Sequence, residues 1–220
     1  MTERERVEKI IHLLRKNTIG MVDPASLSII KKFGKDPFLI LVSCMLSLRT
    51  QDKVSLPASL RLFDHAKTPE QLVAMPLHSV EKLIYPVGFY RNKAQYLHVM
   101  SKQLINDFGG KVPHTRDELM LLSGVGRKTA NLVLGQAFDI PAICVDTHVH
   151  TVSNRLGIVN TKTPQETEEA LMKVLPEKYW IEYNTLMVLW GQNICLPISP
   201  LCSKCILLPL CPQKGVTRHR

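Results

Sequence analysis

The chain is expected to be all-α. Helical apolar stripes recur along its length, helix-start signals repeat with one grammar, and strand-like alternation is nearly absent. Val7, Ile10, Ile11 and Leu14 form one stripe; Leu97, Met100, Leu104 and Ile105 form another, ending near Gly109 and Gly110. Short connections between such segments predict about nine or ten helices.

The helix starts can be justified in order. Asp36-Pro37 opens "FLILVSCMLSL", which has no charge on any face and so reads as a buried central helix. Thr68-Pro69-Glu70-Gln71 and Thr163-Pro164-Gln165-Glu166 each offer a Thr cap, a Pro at the first helical position and a Gln or Glu three residues past the cap. Thr115 with Glu118 repeats this box without the proline. Gly124 and Gly126 suit a hairpin between a helix ending near Leu122 and one beginning near Arg127, because glycine permits positive φ and close backbone approach. "DIPAICVD" then interrupts the helical period and suggests a boundary near residue 140.

A chain of 220 residues with 45% apolar content has room for one large domain or two small ones, and is too apolar for a disordered protein. No apolar run reaches the roughly 18 residues of a membrane span, and no secretory signal precedes Met21, so a soluble intracellular protein is expected. Lys and Arg number 28 against 19 Asp and Glu, a formal charge of +9, which favours a polyanionic partner, nucleic acid foremost.

Cysteine usage is uneven. Cys195, Cys202, Cys205 and Cys211 crowd the C-terminal end with gaps of six, two and five residues, while Cys44 and Cys144 sit alone in apolar surroundings. In a reducing compartment the cluster reads as metal ligation and the isolated pair as buried thiols. Four thiolates suit either zinc or a [4Fe–4S] cluster, and residue chemistry alone leaves that choice open. The hairpin is also open to two readings. Its amides and the helix start after it could cradle a phosphate, which would position DNA without selecting sequence. The same glycines also suit an ordinary corner between packed helices.

Three stretches together resolve these choices by resemblance. "LLSGVGRKTANLVLG" (121–135) resembles the helix-hairpin-helix of the endonuclease III family of DNA glycosylases. "VDTHVHTVSNRLG" (145–157) resembles the segment bearing that family's catalytic aspartate, and "CLPISPLCSKCILLPLC" resembles its iron–sulfur loop. The three occur in the family's order over nearly the whole chain. The resemblance implies a helix-hairpin-helix glycosylase fold: a six-helix barrel at about residues 30–140, and a discontinuous domain of residues 1–29 and 141–220 holding a [4Fe–4S] cluster on the four cysteines. The DNA cleft would lie between them.

It also implies roles. Lys128 would be the nucleophile, its amine attacking C1′ of a damaged nucleotide and expelling the base; the resulting iminium acidifies the 2′ proton, and β-elimination nicks the strand. Asp146 would stabilise positive charge on the sugar and assist proton transfers, while also capping the helix that starts at "THV". His148 would support the site without acting on substrate. Gly124, Gly126 and Arg127 would meet the DNA backbone, and Lys204, between Cys202 and Cys205, another phosphate.

Chemistry at C1′ requires the nucleotide to leave the stack. "SLRTQDK" and "PVGFYRNKA" match the family's two gap-filling loops, with Arg49 where glutamine is usual and Phe89 where bacterial relatives usually have leucine. Phe89 supplies apolar bulk for a wedge; Arg49, helped by Gln51, could pair with the orphaned base. Ser123 stands where the hairpin usually has proline, leaving both glycines in place.

The implied activity is a bifunctional glycosylase and abasic-site lyase for oxidised pyrimidines in base excision repair. It would act as a monomer on damaged or abasic double-stranded DNA, cytoplasmic and nucleoid-associated, with no membrane partner. A mismatch-specific thymine or uracil glycosylase, a non-enzymatic DNA-binding module and a zinc-bound scaffold are the alternatives. Lys128 argues against the first, and Lys128 with Asp146 against the second.

Overall fold

The structure, a computed structural model, describes residues 2–220. Among the described residues there are twelve α-helices and no strand. In chain order they are α1 (Glu3–Asn17), α2 (Ala25–Phe33), α3 (Pro37–Ser47), α4 (Asp52–Phe63), α5 (Pro69–Ala74), α6 (Leu77–Ile84), α7 (Tyr90–Phe108), α8 (Arg116–Leu121), α9 (Arg127–Phe138), α10 (Thr147–Arg155), α11 (Pro164–Val174) and α12 (Trp180–Asn193). Three single 3-10 turns follow α11 and α12, at Glu177–Tyr179, Cys202–Lys204 and Leu208–Leu210. The helix total exceeds the nine or ten expected; helices such as α2 and α6, which start after Pro24 and Pro76 without a side-chain cap, lack the start signal that marks α3, α5, α8 and α11.

The chain divides into two compact units, Pro24–Ile140 and the joined segments Met1–Asp23 with Pro141–Arg220. The first break lies ahead of the residue-30 boundary expected from sequence, since a cut at 30 would split α2. That helix packs on α3 and α4 and buries Ile29 completely. The second break falls within the irregular stretch that follows α9.

The central unit, α2 to α9, is organised around α3. Asp36 caps α3 by accepting the Leu39 amide, Pro37 fits the first turn, and every side chain from Phe38 to Leu46 is buried. A helix apolar on all faces must lie among other helices, and α3 packs against α2, α4, α7 and α9. The long α7 buries Leu97, Met100 and Leu104 and ends at Gly109 in the left-handed conformation.

In the terminal unit, Thr2 and Glu5 form a capping box on α1, whose Val7, Ile10, Ile11 and Leu14 are buried as the stripe predicted. They share a core with Val149 and Val152 of α10, Leu171 of α11, and Tyr183, Met187 and Trp190 of α12. The Thr caps at 68, 115 and 163 all accept the amide three residues on. Gln71 and Glu166 reach past the cap to the amides of Lys67 and Lys162. Cys44 and Cys144 are buried, one in each unit. No helix among the described residues is long and apolar enough to cross a membrane.

Because Leu41 lies wholly inside the central unit, Leu41→Ala should lower its stability by about 2–5 kcal/mol, read by chemical denaturation followed by circular dichroism.

Candidate active site

The hairpin joins α8 to α9 through Leu122–Gly126. Gly124 has φ +79, and a Cβ there would sit 2.9 Å from the Met45 methyl and 3.1 Å from Cβ of Tyr96. Conformation and packing both demand glycine. Gly126 differs: it is the N-cap of α9 with ordinary extended dihedrals, and nothing in the protein lies within 4 Å of an added Cβ. The fold therefore does not need a glycine at 126, whereas a backbone or phosphate brought against the start of α9 would.

Ser123 uses the amide that a proline would lack. Its N–H donates to Oε1 of Gln103 on α7 at 2.8 Å, and the same side chain donates from Nε2 to the Leu121 carbonyl at 3.2 Å. Gln103 thus holds the turn from outside, in place of a proline's stiffness. Nothing in sequence distinguishes it from any other glutamine of a long helix.

Lys128 is exposed in the first turn of α9, between the half-buried Arg127 and the buried Thr129. Its charge reaches α3: burial pushes the Cys44 thiol up to about 12, and Lys128 pulls it the other way.

The two loops expected to fill a vacated base position meet. Arg49 and Phe89 both adopt the left-handed conformation, φ 51 and φ 58, which is uncommon for such residues. The Arg49 guanidinium lies 5.9 Å from the centre of the Phe89 ring, and Phe89 is 60% exposed, so it is not core. Arg49, Phe89 and Gly124 line one pocket with Met45, Leu48 and Asn92. Gln51 instead caps α4 with its backbone and is exposed, outside that lining.

Sequence reasoning missed what holds these loops. Lys93, 7% exposed, donates from Nζ to the carbonyls of Leu46 at 2.8 Å and Leu48 at 2.6 Å, and to the Thr50 hydroxyl at 3.2 Å. Thr50 accepts the Gly88 amide at 3.1 Å, and the Arg49 carbonyl would lie 2.9 Å from a Cβ on Gly88. Burial lowers the Lys93 pKa to about 8; its acceptors, one in the last turn of α3, one at its C-cap and one in the loop beyond, favour the charged form. A lysine at the start of an amphipathic helix carries no sequence signal for burial.

In the terminal unit Asp146 is half-buried at the N-cap of α10, where its Oδ1 accepts the Val149 amide at 2.8 Å. That bond fixes the carboxylate's direction. Asn184 of α12 donates to the Cys144 carbonyl at 3.0 Å and so steadies the segment leading to Asp146. His148 rests on Gly191 of α12, where an added Cβ would fall 2.5 Å from Nδ1. His150 bonds instead to Thr167 of α11 at 2.7 Å.

Cys195, Cys202, Cys205 and Cys211 line one apolar pocket with Trp190, Ile194, Leu201 and Val216. Among the described residues no three His, Cys, Asp or Glu side chains are gathered tightly enough to grip one metal ion. Four thiolates lining one apolar pocket are a donor set that a four-iron cluster takes, one thiolate to each iron, and that zinc can also take. Burial raises the pKa of the Cys195, Cys205 and Cys211 thiols, and hydrogen bonds oppose it: Arg155 to Cys195, the Gln213 amide to Cys211, and Trp190 to Cys205. Arg155 also binds the Cys195, Leu196 and Pro197 carbonyls, and Arg6 binds those of Leu156, Gly157 and Leu210. Two arginines thereby shape the loop. Lys204 is exposed on its 3-10 turn.

Comparison with known proteins bears on the family and the fold. The family model described as HhH-GPD superfamily base excision DNA repair protein matches residues 42–177. The chain is 44% identical over 210 residues to endonuclease III of Thermotoga maritima, covering 91% of this chain and 99% of the relative. It is 43% identical to endonuclease III of Bacillus subtilis, with 84% of each covered. A solved non-covalent endonuclease III–DNA complex superposes with a TM-score of 0.85 at 36% identity, over 97% of both chains.

Two outcomes are expected. Gly124→Ala should cost about 2–4 kcal/mol in denaturant melts, from left-handed strain plus overlap, and Gly126→Ala under about 1 kcal/mol. For Lys93, the native state sheds its proton before the unfolded chain does, so the unfolded chain binds more protons across the interval from about 8 to 10.5. Stability of the wild type relative to Lys93→Met should therefore rise with pH over that window, measured by denaturant titration at each pH.

Proposed function

The chain belongs to the HhH-GPD superfamily of base excision DNA repair proteins, and on that premise we propose that it is a bifunctional DNA glycosylase and abasic-site lyase for oxidised pyrimidines. The observation that carries this reading is Lys128, an exposed primary amine two residues past a phosphate-compatible hairpin. A glycosylase that relied on water alone would have no use for an amine there.

In this reading the amides at Gly124, Gly126 and Arg127 hold a backbone phosphate on the axis of α9, whose N-terminal dipole favours the anion. Phe89 wedges into the stack and Arg49 faces the orphaned base, offsetting part of the few kcal/mol that nucleotide rotation costs. The Lys128 amine, as the free base, bonds to C1′ while the C1′–N bond to the lesion breaks and the departing base takes up a proton. The amine proton is then lost and the sugar ring opens to an iminium. Removal of the 2′ proton expels the 3′ phosphate, and water finally releases the sugar remnant from the lysine. Asp146, held rigid by the Val149 amide, stabilises the positive charge on the sugar and relays protons.

Cys195, Cys202, Cys205 and Cys211 would hold a [4Fe–4S] cluster, which when bound supplies covalent bracing for a loop too small to own a core. Arg155 and Arg6 fix that loop's carbonyls, and Lys204 on it would meet a phosphate. Lys128 belongs to the central unit and Asp146 to the terminal one. The reading needs only a monomer, and the charge of +9 supports double-stranded DNA as its partner.

Borohydride should trap the wild type covalently on abasic duplex DNA, and Lys128→Ala should give no trapped species while still shifting the duplex in a gel. Absence of trapping by the wild type would remove the lyase reading. Cleavage of thymine glycol and 5-hydroxycytosine duplexes, with uracil and guanine–thymine duplexes left intact, would establish the lesion class.

A further inference from the structure

We propose that Lys93 is a positioning residue for base extrusion: its ammonium locks the Arg49 and Phe89 loops into one rigid wedge without touching DNA. This rests on the glycosylase reading above and goes beyond it, since nothing in that reaction assigns the residue a part.

The argument begins with the end of a helix. The last carbonyls of α3 have no intrahelical partner, and buried, they need a donor. Lys93 supplies it from α7, answering the buried Leu46 in the last turn and the part-buried Leu48 at the C-cap, and a third N–H goes to Thr50. An ammonium has three N–H groups, and here all three are used. Thr50 in turn accepts the amide of Gly88. One side chain therefore fastens the loop that follows α3 to the loop that precedes α7. Each loop contributes one left-handed residue beside the fastening, Arg49 after Leu48 and Phe89 after Gly88. Left-handed backbone at a non-glycine residue persists only where neighbours over-determine it. The Arg49 carbonyl against Gly88, and the guanidinium over the Phe89 ring, are the contacts that this fastening preserves.

A loose wedge would still bind DNA and leave Lys128 intact. It would fail where extrusion is hardest, at a lesion stacked and paired in duplex, and matter less at a site that has already lost its base. A merely structural lysine would affect both substrates alike. Lys93→Met should therefore lower the single-turnover excision rate on a paired thymine glycol duplex about ten-fold further than the borohydride trapping rate on an abasic duplex. A 2-aminopurine placed beside the lesion should show a correspondingly smaller rise in fluorescence on binding. Thr50→Val, which keeps the charge and removes the shared acceptor, should reproduce the same asymmetry if Lys93→Met does not fold. Equal losses on the two substrates, or no loss on either, would overturn the positioning role. A wild type that neither excises nor traps would instead sink the glycosylase reading, and this proposal with it.

Discussion

Burial of α3 is the constraint on which the central unit depends. With Phe38 to Leu46 all inside, the helix can lie only among others, so α2, α4, α7 and α9 are arranged around it. Its contents then reach each part of the site in that unit. Met45 presses on Gly124 and shapes the hairpin; Cys44 lies within electrostatic range of Lys128; the carbonyls at and just past its end call in Lys93 and, through it, the loops that carry Arg49 and Phe89. An apolar segment with no functional side chain of its own thus sets the position of nearly every residue that meets DNA in the proposed reaction.

Polar groups do the corresponding work in the terminal unit. Asp146 is a helix cap as well as the proposed catalytic carboxylate, and the two roles are compatible because capping engages one oxygen and fixes the plane of the other. The cysteine loop has little regular structure and few buried apolar side chains of its own. Arg155 and Arg6 compensate by donating to carbonyls on both sides of it, which explains why two arginines lie part-buried beside a pocket lined by thiols. Guanidinium forks suit this task, since each satisfies several acceptors in one plane.

The helix-start grammar was legible because it is local. A Thr, a Pro and an acid within four residues specify a cap whatever surrounds them, and the caps at 68, 115 and 163 formed as expected. The stripe of α1 and the uninterrupted apolar run of α3 were equally readable. The starts of α2 and α6, after Pro24 and Pro76, carry no side-chain cap and so lack that signal, and the first domain break falls at Pro24, ahead of α2, and not at residue 30. Among site residues, the hairpin glycines, Lys128, Asp146 and the four cysteines were marked by motif. Lys93, Gln103, Thr50 and Arg155 were not, because each acts through carbonyls or amides that are distant in sequence.

Sequence by itself determined which residues are candidates for chemistry and which segments are helical, since both follow from side-chain type and short-range spacing. Tertiary structure alone decided which glycine of the hairpin the fold requires, that Phe89 stands exposed against Arg49, and that a buried lysine closes the end of α3. The physical reason is one of range. Caps and periods are settled within a turn or two of chain, whereas an unpaired carbonyl or a crowded Cα acquires its meaning only from whatever the fold brings beside it.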